Sequence, residues 1–296
     1  MDIRVSSGTA SYLGLKKIKC MERPTTAYVL IPGAPCRGKC VYCPQSSTDG
    51  KWLSRISWPS FGLNELTEHI KGSDLQRVCI QSPDVDGYED RIRDAVSLLE
   101  ETKKPVSVSA PPLPKNILRE LRKGPVDRIG VGIDAVTDDL RRKTKKGYAP
   151  MIFWNYLGDA LDVYGKGHVT AHMIAGMGED LEQLAHAAYR ASKNGAVVSL
   201  FSYVSKGKEV DLRYYRQAQL LTHLIEIGYG PYEALSLTHY PTDIREHVEE
   251  GTPFRTKGCP GCNRPYYTTR PGKEHRNYPR EPTWEEIQKI ASDLRY

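Results

Sequence analysis

Short β-branched runs alternate along the chain with longer amphipathic segments, which is the pattern of βα units built around a parallel sheet. The apolar runs predict six strands: Thr26–Ile31, Arg77–Gln81, Pro105–Ser109, Arg128–Asp134, His168–Ala175 and Ala196–Tyr203. Six strands are too few to close an eight-stranded barrel. The predicted fold class is therefore α/β, as a partial (β/α)6 barrel whose open side can admit a large substrate.

The segments between and after these strands carry helical periodicity. In Tyr88–Glu100, the apolar residues Ile92, Ala95, Val96 and Leu99 recur at i, i+3, i+4 and i+7, so they share one face that can pack on the sheet. The other predicted helices are Leu63–Lys71, Lys115–Arg122, Pro150–Tyr164, Glu182–Asn194, Leu212–Ile227 and Thr283–Leu294.

The periodic pattern weakens at both ends and divides the chain into three parts. Residues 1–25 have no clear period and predict an N-terminal extension, whereas residues 26–230 predict the barrel. Residues 231–296 are rich in Pro, Gly and Tyr and contain a CxxC sequence, so they predict an irregular C-terminal extension that ends in the last helix.

Composition places the chain among globular proteins. With 296 residues, of which 39% are hydrophobic, it can bury one large core. It has no apolar segment of signal-peptide length and no run near the roughly 18–20 residues that cross a bilayer, so we expect a cytoplasmic protein without a membrane partner. The net charge of +6 fits ordinary solubility or an acidic protein partner. No dense basic-aromatic stripe supports nucleic-acid binding, although the Lys143–Lys146 run and the C-terminal arginines leave that function open.

Seven cysteines in a chain without a signal segment favour metal ligation in a reducing compartment. Cys36, Cys40 and Cys43 are spaced CxxxCxxC directly after the first predicted strand, and the carboxyl ends of parallel strands carry the sites of α/β folds. A [4Fe–4S] cube normally takes four thiolates, so three on one loop leave one iron open to a small molecule. A zinc or structural role is the alternative, although zinc sites more often use a second cysteine pair.

The CxxxCxxC motif, with the aromatic Tyr42 before its last cysteine, resembles the signature of radical S-adenosylmethionine (SAM) enzymes. The resemblance implies that Cys36, Cys40 and Cys43 hold a catalytic [4Fe–4S] cluster, that SAM chelates its open iron, and that Tyr42 lies near the adenine. Reduction of the cluster, by a reductant protein, then yields a 5′-deoxyadenosyl radical that abstracts hydrogen from substrate. The partial barrel over residues 26–230 is also the core fold of that family.

Further cofactor-binding residues are implied at the ends of the predicted strands. Asp134 resembles the acid that hydrogen-bonds the nucleoside ribose in biotin-synthase-like enzymes, and an N-cap role is the alternative. Residues 168–179 resemble the GxIxGxxE region of the family, which implies backbone contact with adenine near Ile174. Ser107 and Ser109, on the third strand, are candidates for binding the methionyl group.

Cys259 and Cys262 form a CxxC knuckle that can present two sulfurs to one metal centre. Cys20 is the one other cysteine outside the core strands, so we expect Cys20, Cys259 and Cys262 to ligate a second, auxiliary [4Fe–4S] cluster, with a hydroxyl, substrate or Cys79 as fourth ligand. A zinc site from the same residues is the alternative. Cys79 lies where biotin synthase carries a [2Fe–2S] ligand, but its companions there are missing, so we favour a buried small side chain over a ligand.

The sequence around this knuckle, residues 258–272, together with residues 277–280, resembles the tail of the two-component lipoyl synthases found mainly in archaea. That resemblance implies insertion of auxiliary-cluster sulfur at C6 or C8 of an octanoyl-lysyl group on a lipoyl-carrier protein, and a sister lipoyl synthase subunit as partner. A radical is required because these C–H bonds offer no acidic proton. The tail residues Arg264, Tyr266, Tyr267 and Arg270 are expected either to cover the second cluster or grip the carrier, or to pack for stability alone.

Two other functions stay open from the sequence. One is a different radical SAM enzyme that inserts sulfur or transfers a methylthio group, as a biotin-synthase-like protein would. The other is a non-enzymatic iron–sulfur or zinc-binding module, which formation of 5′-deoxyadenosine would exclude.

Overall fold

A parallel sheet forms the centre of the protein in a computed structural model. The structure describes residues 2–20, 22–33, 35–46, 50–149, 151–205, 207–239, 245–265, 267–269 and 272–294. Its strands are β1 (Asp2–Val5), β2 (Thr26–Leu30), β3 (Trp52–Leu53), β4 (Ile56–Ser57), β5 (Ser60–Gly62), β6 (Arg77–Gln81), β7 (Val106–Ser109), β8 (Val126–Asp134), β9 (Val169–Ala175), β10 (Val197–Ser202), β11 (Val204–Ser205) and β12 (Lys208–Glu209).

Helices follow most of the long strands. They are α1 (Ser7–Tyr12), α2 (Leu63–Lys71), α3 (Tyr88–Leu99), α4 (Lys115–Lys123), α5 (Asp138–Thr144), α6 (Ile152–Tyr164), α7 (Leu181–Lys193), α8 (Leu212–Glu226), α9 (Pro231–His239), α10 (Arg245–Glu249) and α11 (Trp284–Leu294). On α3, the predicted face Ile92, Ala95, Val96 and Leu99 is buried. Among the described residues no helix is long and apolar enough to cross a membrane.

The main sheet has the order β10-β9-β8-β7-β6-β2-β1-β5. Its six strands from β2 to β10 are parallel neighbours, which confirms the predicted α/β fold. The sheet continues at one edge because β1 pairs antiparallel with both β2 and β5. Ile3 and Val5 on β1 are fully buried, so part of the N-terminal extension belongs to the core.

Side chains on one face of the parallel strands point into the barrel in layers, because successive residues of a strand alternate sides. One layer contains the register partners Tyr28, Cys79 and Ser107. The next layer, closer to the carboxyl ends, contains Leu30, Gln81 and Ser109. Polar groups and a thiol therefore occupy the inside of a sheet whose other face is apolar.

Residues 258–264, here called the amino-terminal plug, close the barrel at the end where its strands begin. The Thr26 hydroxyl donates to the carbonyl of Gly261 at 3.1 Å, and the Arg77 guanidinium donates to that of Pro260 at 3.3 Å. The Asn263 amide donates to the carbonyl of Arg23 at 2.8 Å. The CxxC knuckle predicted as part of an irregular tail is thus fixed to the starts of β2 and β6.

Candidate active site

A cavity of about 310 Å³ lies at the carboxyl ends of the parallel strands, and Cys36, Cys40 and Cys43 line it together. We call it the upper cavity. The three cysteines follow β2, whose five residues are all buried. The strand therefore delivers the loop to the edge of the sheet that the sequence predicted.

The cysteine loop is held against the segment between α5 and α6. The Gly147 amide donates to the carbonyl of Gly38 at 3.1 Å, and the Val41 amide donates to that of Thr144 at 2.9 Å. A Cβ on Gly147 would lie 2.4 Å from the carbonyl oxygen of Arg37, far inside van der Waals contact. Only glycine allows this approach of two backbones.

The positions and the burial of the loop thiols suit ligation of iron. A Cβ built on Gly38 would lie 3.5 Å from Cys36 Sγ and 3.6 Å from Cys40 Sγ, so both sulfurs face the same space. Burial, in each case the largest cause, raises the pKa of Cys40 to about 11 and that of Cys43 to about 12. Burial thus disfavours the charged thiolates, and a bound cation offsets that effect because it stabilises the thiolate form.

The Asp84 amide also donates to Cys36 Sγ at 3.2 Å, as backbone N–H groups do to cluster thiolates. Within the described ranges no three carboxylate, imidazole or thiol groups converge on the position of one metal ion. The three loop cysteines instead line one cavity together. Three thiolates on one loop fit a [4Fe–4S] cluster that has three protein ligands.

Asp134 ends β8 inside the upper cavity, in a left-handed conformation with φ 56°. Its Oδ2 atom accepts hydrogen bonds from the Tyr42 hydroxyl and the Lys145 ammonium, both at 2.7 Å. Burial disfavours the charged carboxylate, but the Lys145 charge and the two hydrogen bonds outweigh burial and leave the pKa of Asp134 below its ordinary value. An ionised, buried acceptor therefore lies beside the cysteine loop, joined directly to the aromatic residue of the motif.

Two of the other predicted cofactor-binding residues, Ser109 and Ile174, line the upper cavity. The turn after Ile174 is fixed by Glu179, whose carboxylate accepts from the Met177 amide at 2.9 Å and from the Tyr214 hydroxyl at 2.9 Å. Ser107 lies one layer deeper and is absent from the residues that border this cavity. Its hydroxyl donates to Cys259 Sγ at 3.1 Å.

A second cavity, of about 110 Å³, lies deeper in the barrel, and Cys79, Cys259 and Cys262 all line it. We call it the lower cavity. Burial and the neighbouring sulfurs of Cys259 and Cys262 raise the pKa of Cys79. Burial also raises the pKa of Cys262, with the nearby Arg264 and the Tyr28 hydroxyl opposing it. The amino-terminal plug thus brings two cysteines from the tail to a cysteine on β6.

Cys20 is not part of this group. Its thiol donates to the carbonyl of Glu22 at 3.1 Å, and it lines a separate cavity of about 240 Å³ with residues of the N-terminal extension. Tyr28 and Tyr267 border both that cavity and the lower one, so their rings stand between Cys20 and the CxxC pair. The structure therefore does not bring together the expected set of Cys20, Cys259 and Cys262, whereas Cys79 lines the lower cavity with the CxxC pair.

The upper and lower cavities share walls. Gln81, Ser109, His172 and Tyr267 line both, and the Gln81 amide donates to the Tyr267 hydroxyl at 2.7 Å. A group placed between these residues would reach the cysteine loop on one side and the CxxC pair on the other. Tyr267 is the tail residue that separates them, whereas Tyr266 and Arg270 lie outside the described residues.

Sequence reasoning missed two groups of this site. Lys145 belongs to the basic run 143–146, which suggested a surface that could bind nucleic acid, yet it is 5% exposed and pairs with Asp134. His172 is the second group. Its ring faces both cavities, and burial followed by the charge of Arg264 lowers its pKa to about 3, so it is neutral near pH 7. The available signal was its position two residues before Ile174, on the same face of β9.

The comparisons with known proteins agree with this geometry. A family model described as the Radical SAM superfamily matches residues 30–189, which is more than half of the chain. This chain belongs to the radical SAM superfamily. The matched region contains the cysteine loop, Asp134 and Ile174, so this radical SAM protein carries its family motif on the residues that line the upper cavity. No curated protein matches its sequence significantly.

Two solved structures share the fold. The crystal structure of methylornithine synthase (PylB) superposes with a TM-score of 0.51 at 17% identity, over 97% of this chain and 84% of that one. The FeFe-hydrogenase maturase HydG from Carboxydothermus hydrogenoformans superposes with a TM-score of 0.50 at 13% identity, over 75% of this chain and 56% of that one. At these identities the likeness is one of fold.

Proposed function

We propose that this radical SAM enzyme is of the lipoyl synthase type and inserts sulfur from an auxiliary iron–sulfur cluster into C6 or C8 of a protein-bound octanoyl-lysyl group. One observation carries the proposal. The amino-terminal plug sets Cys259 and Cys262 beside Cys79, in a cavity that shares walls with the cavity of the cysteine loop. A sulfur source and a radical source would then face the same carbon atom from opposite sides.

The ligands that we propose for the auxiliary cluster are Cys79, Cys259 and Cys262. Ser107 is the candidate for a fourth ligand or a hydrogen-bond donor, because its hydroxyl lies 3.1 Å from Cys259 Sγ. Arg77 supports this arrangement, since it donates to the Ser107 hydroxyl at 3.0 Å and also holds the plug. The auxiliary cluster is the sulfur substrate of the reaction in this proposal, and it is consumed.

When bound, the loop cluster and SAM supply a 5′-deoxyadenosyl radical for hydrogen abstraction. The protein itself positions SAM and the acyl chain relative to each other and encloses them. Asp134 offers a charged acceptor for ribose hydroxyls at the wall of the upper cavity, and backbone near Ile174 borders the same space. Tyr267, Leu53 and Phe201, which line both cavities, surround the path of the acyl chain with apolar surface and exclude water.

The partners that follow from this function are an octanoylated lipoyl-carrier protein, a sister lipoyl synthase subunit and a reductant protein. A protein-bound acyl chain must enter from the surface, and the upper cavity is the larger of the two that share walls. The carrier would therefore dock at the carboxyl ends of the strands.

Iron and acid-labile sulfide per chain test the cluster assignment. Anaerobically reconstituted wild type is expected to hold about eight irons, and the Cys36→Ala/Cys40→Ala/Cys43→Ala variant about four. About four irons in wild type and none in the variant, with zinc bound instead, would make the knuckle structural and remove the sulfur source.

The ligand set has its own test, because Cys79→Ala and Cys20→Ala are matched variants. In the background that lacks the loop cysteines, Cys79→Ala should lose most of the remaining iron, whereas Cys20→Ala should keep it. The reverse result would restore the set predicted from the sequence.

A substrate comparison separates lipoyl synthesis from the other sulfur-inserting or methylthio-transferring reactions. The enzyme is assayed with an octanoyl-lysyl peptide, with small-molecule thiolation substrates and with RNA, and 5′-deoxyadenosine and thiolated product are measured for each.

A further inference from the structure

The CxxC pair faces a third cavity in addition to the lower one. This space, of about 450 Å³, lies on the outer side of the amino-terminal plug, and both Cys259 and Cys262 line it. We call it the amino-terminal vestibule. Thr25, Gln76 and Thr256 are among its other wall residues. The same two cysteines therefore border the interior of the barrel on one side and the amino-terminal surface on the other.

We propose that ferrous iron and hydrosulfide reach Cys259 and Cys262 through the amino-terminal vestibule, so that the auxiliary centre is loaded from the end of the barrel opposite the SAM site. This inference rests on the proposed function, because it assigns the supply of the sulfur substrate to a route of its own.

The lining of the two routes supports this assignment. From the upper cavity, an ion would have to pass the shared walls, where Tyr267, Phe201 and Leu53 add apolar surface beside the polar Gln81, Ser109 and His172. Apolar surface hinders an ion because it cannot replace the water that the ion loses. The vestibule instead presents charged side chains, among them Lys257 and Glu226, which pair at 2.6 Å. A hydrated ion keeps polar partners as far as the cysteines on that side.

Charged groups of both signs beside the vestibule suit a cargo of Fe²⁺ and hydrosulfide. Lys257, Arg255 and Glu226 line it, and Arg77 lies behind the knuckle, 4% exposed, with its guanidinium donating to the carbonyl of Pro260. The basic groups attract hydrosulfide, and the Glu226 carboxylate attracts Fe²⁺. Pro260 and Gly261, at the tip of the knuckle, are exposed, so little protein separates the cysteines from solvent at this end.

The route also fits the requirement for renewal. An enzyme that consumes its sulfur must be reloaded, and the upper cavity holds SAM and substrate during turnover. Access from the other end allows iron and sulfide to return without opening the site in which the radical forms. The proposed step is delivery, in which Fe²⁺ replaces the protons of the cysteine thiols and no electron is transferred. Assembly of a [4Fe–4S]²⁺ cube from ferrous iron and sulfide also removes two electrons, which pass one at a time to an oxidised iron–sulfur electron carrier.

Timed uptake of iron in the variant without loop cysteines tests the route, since only the auxiliary centre can then load. Thr256→Trp should narrow the vestibule and slow uptake of Fe²⁺ and sulfide by about tenfold, the effect of roughly 1.4 kcal/mol on the barrier. Thr256→Val is the matched control that leaves the vestibule open and should load at the original rate. Val204→Trp, in the wall of the upper cavity, should also leave the rate unchanged.

Slowing by Val204→Trp and not by Thr256→Trp would overturn the proposal, because ions would then arrive through the upper cavity. If the parent without loop cysteines binds no iron at all, the proposed auxiliary cluster fails, which is a different result from equal rates in all variants. Circular dichroism establishes that Thr256→Trp is folded.

A labelling measurement covers the case in which Thr256→Trp does not fold. In the iron-free protein, a charged methanethiosulfonate reagent should modify Cys259 and Cys262 equally fast with and without Val204→Trp. Slower labelling in Val204→Trp would again assign the route to the upper cavity and overturn the proposal.

Discussion

Lys145 and Asp134 show how a single buried ion pair shapes the upper cavity. The side chains are 7% and 17% exposed, and the ammonium also donates to the carbonyl of Gly132 at 2.7 Å. We expect Lys145→Met to destabilise the fold by about 3–5 kcal/mol at pH 7, because it leaves a buried carboxylate without its charge partner. Denaturant unfolding measures this, and Lys115→Met, which removes a partly exposed pair on α4, should cost under about 1 kcal/mol.

The same variant has a predictable dependence on pH. In wild type the pKa of Asp134 is lowered, so its stabilising effect is present above the ordinary carboxyl pKa of about 4 and is lost as the pH falls through the lowered value. In Lys145→Met burial acts unopposed by the ammonium and raises that pKa. The stability difference between wild type and variant should therefore shrink from pH 7 to pH 5, and an unchanged difference would contradict this account.

Gly147 is a residue whose lack of a side chain the cysteine loop requires. In Gly147→Ala the new methyl group would meet the backbone of Arg37 and Gly38, and neither can rotate away. We expect overpacking to cost about 1–3 kcal/mol and the loop cluster to be lost before the proposed auxiliary one. Gly158→Ala on α6 is the control, since no atom lies within 4 Å of its Cβ position and alanine favours helices by up to about 1 kcal/mol. Iron retention after gel filtration distinguishes the two.

At the scale of elements, the junction between β9 and α7 follows Ile174 in the wall of the upper cavity. The Glu179 carboxylate is 6% exposed and accepts the amides of Gly176 and Met177 as well as the Tyr214 hydroxyl. We expect Glu179→Gln to cost about 1–3 kcal/mol, because its amide would face donors that need an acceptor. SAM binding measured by equilibrium dialysis should weaken in parallel. Glu182→Gln, on the exposed surface of α7, should change neither quantity.

Element periodicity predicted the six parallel strands and most helices, and its failures have physical causes. The helix α5 has the sequence DDLRRKT, which offers no apolar face. It is held instead by Arg141, which is fully buried and donates to the carbonyl of Ala135 at 2.6 Å. Strand β1 has only four residues, and its place depends on the edges of β2 and β5. Such elements are determined by tertiary contacts rather than by local pattern.

The site residues also divide into those that the local sequence predicted and those that only tertiary contacts bring together. Spacing identified Cys36, Cys40 and Cys43 because those residues share one loop. The proximity of Cys79 to Cys259 and Cys262 depends on how a tail segment packs against strands far from it in the sequence, and sequence separation carries no information about such a contact. Ser107 illustrates the consequence: it was expected at the methionyl group and instead donates to Cys259.

For the whole molecule, the two cavities predict that SAM cleavage and sulfur insertion can be separated by mutation. Cys262 lies in the lower cavity and Cys43 in the upper one, so Cys262→Ser should retain formation of 5′-deoxyadenosine and abolish thiolation of an octanoyl-lysyl peptide. Cys43→Ser should abolish both, because it removes a ligand of the loop cluster. Serine has the shape of cysteine and is only slightly smaller, so we expect the fold to be retained. Thiolated product from Cys262→Ser, quantified by mass spectrometry beside 5′-deoxyadenosine, would place the sulfur source elsewhere in the protein.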